Sequence, residues 1–124
     1  MVNSKEASFA YLETLSDEQL CAACQLGNRN AEEVLAARYH RLVRSIARPY
    51  FLAGGDNEDL LQEGMVGLIK AMREYDPHQA ASFCTFAEVC IRRRLYSVLK
   101  SASSGKHQPL NQAIPLNPSF FDVS

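Results

Sequence analysis

Apolar residues return every three or four positions along most of this chain, and no useful stretch alternates with the two-residue period of a half-buried strand. The spacing predicts helices over 17–26, 31–52, 57–74 and 83–102. Three of the starts carry a short polar residue with a polar partner three positions on: Ser16 with Gln19, Asn30 with Glu33, and Asp56 with Asp59. Such pairs satisfy backbone N–H groups that the first helical turn leaves orphaned. Gly27 and the Gly54-Gly55 pair supply stops, and Asp76-Pro77 breaks the chain before the last helix. The expected fold class is all-α, a compact bundle of about four helices. An N-terminal arm would occupy 1–15 and the helical domain 16–102. An irregular C-terminal arm would occupy 103–124, where Ser, Gly, Pro and Asn take over, with Pro109, Pro115 and Pro118.

The periodicity also assigns faces. Over 31–52, Leu35, Tyr39, Leu42, Val43, Ile46 and Tyr50 point inward, and Arg38, Arg41, Arg44 and Arg48 form an outer stripe. A basic stripe of this kind reads as a solvated face, with phosphate contact as the alternative. Over 57–74, Leu61, Met65, Leu68 and Met72 form a core seam, leaving Asp59, Gln62, Glu63 and Val66 outside and Ile69 at the border. Apolar residues rimmed by carboxylates and an amide suit either a protein-docking patch or an ordinary solvated surface.

The last helix is the most informative. Phe83, Ala87, Cys90, Ile91, Leu95 and Val98 make its apolar side, while Phe86, Val89, Arg93, Tyr96 and Lys100 recur along the other. Flat rings interleaved with cations are the chemistry that binds an unpaired nucleic-acid strand, by stacking bases and neutralising phosphates. Arg94 projects toward the apolar side, where a snorkelling stem or a partly buried ion pair is expected.

Hydrophobic residues make up 47% of the chain, which excludes a disordered composition, and the formal charge is only −1. A nucleic-acid binder of this charge must separate its charges in space. It does: 56–63 holds Asp56, Glu58, Asp59 and Glu63 without a cation, and 92–100 holds Arg92, Arg93, Arg94 and Lys100 without an acid. Two different partners are implied. No apolar run approaches the roughly 20 residues that span a bilayer, and the start lacks a basic region followed by an apolar core. The chain reads as cytoplasmic, with no membrane partner.

Cys21, Cys24, Cys84 and Cys90 then read as reduced thiols. Cys21 and Cys24, at i and i+3, allow metal or redox chemistry in principle, but a second ligand pair is missing and small core residues are the simpler reading. His40, His78 and His107 share no spacing with a carboxylate pair and read as surface residues. The sequence thus offers no catalytic set, no metal site and no cofactor motif.

The string DLLQEGMVGLIKA over 59–71, followed by Tyr75-Asp76 and by FCTFAEVCIRRRLYSVLK over 83–100, resembles region 2 of the bacterial sigma-70 family of RNA polymerase sigma factors. The resemblance runs over about 15–121, and KHQPLN at 106–111 is similar to the sigma-H branch associated with sporulation, stationary phase or competence. It implies a non-catalytic promoter-specificity subunit. Its partners would be core RNA polymerase, through the coiled coil of the β′ clamp, and the non-template single strand of promoter DNA, with an anti-sigma factor as a further candidate. In the family the helix matching 57–74 docks on the clamp, and Asp59, Gln62, Glu63, Met65 and Ile69 match contact positions, with Val66 on the same face. The helix matching 83–100 reads the minus-ten element: Phe83 and Phe86 match aromatic positions that capture flipped bases, and Arg93 and Tyr96 match base-reading positions. Val89, Arg92 and Lys100 complete the expected DNA-binding set.

The chain also departs from the family pattern. Val89-Cys90 stands where primary sigma factors carry the tryptophan pair that wedges the duplex open, which fits an alternative rather than a housekeeping factor. Full-length relatives continue into a second helical domain that reads the minus-thirty-five element, so 103–124 would be a linker toward it. A sigma-like module that binds only protein, and a small metal-binding bundle, are the alternatives. The aromatic and basic stripe separates the first of these from a promoter reader, because a purely protein-binding module has no need of it.

Overall fold

The computed structural model describes residues 4–52 and 57–104. Those residues form five α-helices and no strand: α1 (Ser4–Leu12), α2 (Asp17–Gln25), α3 (Arg29–Leu52), α4 (Asn57–Glu74) and α5 (Phe83–Ser104). The all-α expectation holds, with one helix more than the periodicity suggested. The extra element, α1, packs on α3 through Leu12, which is buried, and Phe9, which is partly so. Among the described residues no helix is long and apolar enough to cross a membrane.

Local chemistry explains most boundaries. Ser16 caps α2 with a complete capping box: its Oγ accepts from the Gln19 N–H at 3.1 Å, and its own N–H donates to Gln19 Oε1 at 2.9 Å. The end of α2 is a Schellman motif. The Gly27 N–H donates to the Cys24 carbonyl at 2.9 Å and the Asn28 N–H to the Ala23 carbonyl at 3.0 Å. Gly27 sits at φ 97°, a conformation that a Cβ disfavours.

That turn corrects the start of the next helix. Asn28, not Asn30, is the cap of α3, since its Oδ1 accepts from the Ala31 N–H at 3.1 Å while Asn30 already lies within the helix. The Schellman turn leaves Asn28 directly at the entrance, so α3 begins two residues earlier than expected. The caps and stops expected at Gly54, Gly55 and Asp56 lie outside the described residues, as do the arm at 105–124 and its KHQPLN segment.

One core unites the helices. α3 contributes Leu35, Tyr39, Val43, Ile46, Ala47 and Tyr50, with Leu42 only half-buried. α4 contributes Leu60, Leu68, Ala71 and Met72, and α5 contributes Phe83, Ala87, Ile91, Leu95 and Leu99. The expected α4 seam therefore turns slightly: Leu61 and Met65 sit half-buried at its edge, and Leu60 takes the inner place. Gly64 and Gly67 occupy the buried line, and glycine carries no hydrophobic signal by which to place the seam.

Those two glycines let α4 approach its neighbours closely. A Cβ at Gly64 would lie 2.7 Å from Val43 Cγ1 on α3. One at Gly67 would lie 3.0 Å from Arg94 Cβ, 3.1 Å from the Cys90 carbonyl oxygen and 3.1 Å from Ile91 Cα on α5. Accordingly α4 and α5 form the most extensive helix pair of the bundle.

The short helix α2 ties both of them down. Gln25 Nε2 donates to the Met72 and Tyr75 carbonyls, at 3.0 and 2.9 Å, at the C-terminal end of α4. Glu18 Oε2 accepts the Phe83 N–H at 3.1 Å, at the first turn of α5. Orphan backbone groups at two helix ends are thus satisfied by side chains remote in sequence. Ser82 completes the cap of α5, its Oγ accepting from the Thr85 N–H at 3.3 Å, and the Tyr75 hydroxyl donates to the Ala81 carbonyl at 3.0 Å across the intervening loop.

Candidate partner-docking and nucleic-acid interface

The outer face of α4 is acidic with an apolar centre. Asp59 and Gln62 are exposed, and Val66 is 37% exposed, one of few large hydrophobic side chains this open to water among the described residues. Met65 and Ile69 are half-buried along its margins. The face therefore collects every residue expected for partner docking, although Met65 and Ile69 offer only an edge.

Glu63 is held differently. Its Oε1 accepts from both Arg94 Nε, at 2.8 Å, and Arg94 Nη2, at 2.7 Å, and both side chains are half-buried. The ion pair expected for Arg94 thus exists, and its partner is one of the residues expected for docking. Because Gly67 lies under Arg94 Cβ, the guanidinium can lie along α4 instead of being pushed away by a side chain.

The stripe on α5 divides by burial. Arg93 and Lys100 are exposed, while Phe86, Val89, Arg92 and Tyr96 are half-buried. Lys100 Nζ lies 5.8 Å from the centroid of the Tyr96 ring, within cation–π range. Phe86 packs one side on the core, its ring centroid 5.7 Å from that of Tyr75, and keeps part of its surface open. Burial raises the Tyr50 pKa, and the positive charge of Arg92 only partly offsets it.

Phe83 lies elsewhere. It is 0% exposed, edge-on to Tyr39 at 5.3 Å and to Tyr75 at 5.5 Å. Its ring presents no surface for a base in this conformation. It agrees with the apolar side of the helical wheel, and its effect on the stripe is indirect, since Tyr75 links it to Phe86.

The cysteine pair is enclosed. Burial pushes the Cys21 thiol up to about 12, reinforced by Cys24, Asp17 and Glu18. Cys24 is raised too, by burial first and then by Glu32, whose Oε2 accepts from Sγ at 3.6 Å. Both thiols are held protonated, the form least suited to metal ligation or nucleophilic attack. Among the described residues no three His, Cys, Asp or Glu side chains are grouped as a metal ion requires. The Tyr39 hydroxyl donates to Asp17 Oδ2, and burial followed by this bond raises its pKa. His40 is half-buried and His78 exposed, and His107 lies outside the described residues.

Comparison with known proteins bears on both faces. The sigma-70 region 2 family matches residues 35–104, which take in α4, α5 and nearly all of α3 past its first turns. This chain belongs to the sigma-70 region 2 family. It is 42% identical over 108 residues to the RNA polymerase sigma-H factor of Bacillus subtilis, covering 87% of this chain and 50% of that protein. The sigma-H factor of Bacillus licheniformis is 41% identical over 108 residues, covering 87% of this chain and 48% of the relative. The sigma factor FliA of Pseudomonas aeruginosa is 44% identical over 69 residues, covering 52% of this chain and 27% of that protein. The chain spans about half the length of the sigma-H relatives it matches. Within the family match, the acidic face of α4 and the aromatic and basic stripe of α5 lie on consecutive helices clamped together by Glu63 and Arg94.

Proposed function

We propose that this chain is the part of a sigma factor that docks on core RNA polymerase through α4 and reads the promoter minus-ten element through α5. The observation that carries the reading is the juxtaposition of two chemically unlike faces on the most extensive helix pair of the bundle, inside the segment that matches sigma-70 region 2. The α4 face, with Asp59, Gln62 and Val66 outermost, suits a basic and apolar protein surface such as the β′ clamp coiled coil. The α5 stripe offers Phe86 and Tyr96 for stacking and Arg93 and Lys100 for phosphates or base edges of the non-template strand. An anti-sigma factor is a further candidate partner. The role is one of binding, not catalysis, and it belongs in the cytoplasm, where transcription starts. Residues 16–102 would act as the promoter-reading domain and 103–124 as a linker.

A net charge of −1 argues against tight binding of free duplex DNA, so the polymerase is expected to supply the affinity and α5 the discrimination. Reconstitution with core RNA polymerase and a panel of minus-ten-like single strands tests both halves. Strand capture that depends on polymerase and on strand sequence is expected. Polymerase binding without any strand preference would instead identify a protein-interaction module.

A further inference from the structure

The outer arginines of α3 fall into two classes that the sequence could not separate. Arg38 is engaged: Nη1 donates to Asp17 Oδ1 at 3.0 Å, and Nη2 to the Glu13 carbonyl at 2.8 Å. Arg73 and Arg94 are likewise paired with Glu32 and Glu63. Arg41, Arg44 and Arg48 are exposed, and their guanidinium groups have no acidic partner among the described residues. In a chain with one more acid than base, the fold spends its carboxylates elsewhere and leaves these three cations side by side.

Together with Ser45 and Phe51 they line a groove of about 360 Å³. Arg44 and Phe51 also border a hollow of about 310 Å³ that continues to Glu58 and Leu61 of α4. At 1.5 Å rise per residue, positions 41 to 48 cover about 10 Å of helix axis, and the long arginine side chains extend that reach to neighbouring phosphates of one strand. The planar forks of arginine suit phosphate oxygens, and half-buried Phe51 closes one end of the row with an aromatic surface. A protein-binding hot spot would instead centre on apolar anchors with few charges, and among the described residues Phe51 is the one large apolar side chain lining this groove.

The geometry points to a second nucleic-acid contact on this chain: Arg41, Arg44 and Arg48 hold the phosphate backbone of a polynucleotide strand, independently of base sequence. The inference rests on the promoter-reading role proposed above and adds a positioning surface to it. The base-reading stripe on α5 would set which sequence is chosen, and the α3 row how strongly and in what register the strand is held.

The test uses the full chain assembled on core RNA polymerase with a minus-ten-like single strand, titrated across a salt series. Replacing all three residues, Arg41→Gln, Arg44→Gln and Arg48→Gln, should reduce the slope of log affinity against log salt by about 2, from roughly 0.7 per lost single-strand phosphate contact. The loss should be equal for matched and scrambled strands, and the corresponding triple lysine variant should retain most of the slope. An unchanged slope overturns the inference. So does loss of polymerase affinity with the strand slope intact, which would make the row a protein contact. Failure of the underlying reading looks different, because the wild-type assembly would then show no preference among strands.

Discussion

Arg94 on α5 grips a single oxygen of Glu63 on α4 with two nitrogens, Nε at 2.8 Å and Nη2 at 2.7 Å, across thirty-one residues of sequence. The side chains are 34% and 32% exposed, so the pair is neither a screened surface contact nor a fully desolvated one. It joins the helix proposed to meet the polymerase to the helix proposed to meet the strand. Removing either partner leaves the other charge half-buried.

Arg94→Ala is therefore expected to lower the stability of the isolated chain by about 1 kcal/mol, allowing for solvent screening. Urea unfolding followed by far-UV circular dichroism measures it. The reversed pair, Glu63→Arg with Arg94→Glu, should recover much of that loss while remaining defective in polymerase docking. Docking at wild-type affinity by the reversed pair would show that Glu63 contributes only to the fold.

Gly67→Ala should separate α4 from α5, because the new Cβ meets backbone atoms of Cys90 and Ile91, which cannot rotate away. After the gain in helix propensity, a net loss of about 1–2 kcal/mol is expected. Gly64→Ala differs in kind, since its obstacle is the Val43 Cγ1 methyl at 2.7 Å. Adding Val43→Ala should relieve part of that defect. Strictly additive losses in the double variant would contradict the packing described here.

The thiols provide a pH and a reactivity test. An unfolded Cys21 ionises near its ordinary value of 9.0, whereas in the fold burial holds it protonated up to about 12. Its folded pKa is raised, so the stabilising contribution is complete below the unfolded value and is lost as pH rises from there through the folded one. Denaturation midpoints should fall with pH over that window, and Cys21→Ala should flatten the fall. With a thiol-specific reagent near neutral pH, exposed Cys84 should react first and half-buried Cys90 more slowly. Cys21 and Cys24 should react only on unfolding, and early labelling of either would count against the burial that holds them inert.

Much of the bundle was legible in the sequence because its signals are local. α4 starts and ends at the expected residues, and the box at Ser16 and the stop at Gly27 are as read. What was missed depends on tertiary context. Among the described side chains of α1, the hydrophobic ones against the bundle are Phe9 and Leu12, too few to set a period. Asn28 outcompetes Asn30 as a cap because the α2 exit turn delivers it there. In the candidate site, the wheel placed Asp59, Gln62 and Val66 outward correctly, but no local pattern could reveal that Glu63 would be claimed by Arg94. Likewise, nothing local distinguished Arg38, drawn away by Asp17, from the three arginines that follow it.

The most direct test of the central claim is strand capture by Phe86→Ala and Arg93→Ala variants held on core RNA polymerase, with folding checked by urea midpoint because Phe86 also touches Tyr75. Fluorescence titration of a minus-ten-like single strand should show Phe86→Ala losing about 1–3 kcal/mol of binding, the worth of one base stacked on an aromatic ring. Arg93→Ala should in addition relax the preference at a single base. Wild-type affinity and wild-type sequence preference in both folded variants would contradict the assignment of α5 as the promoter-reading helix.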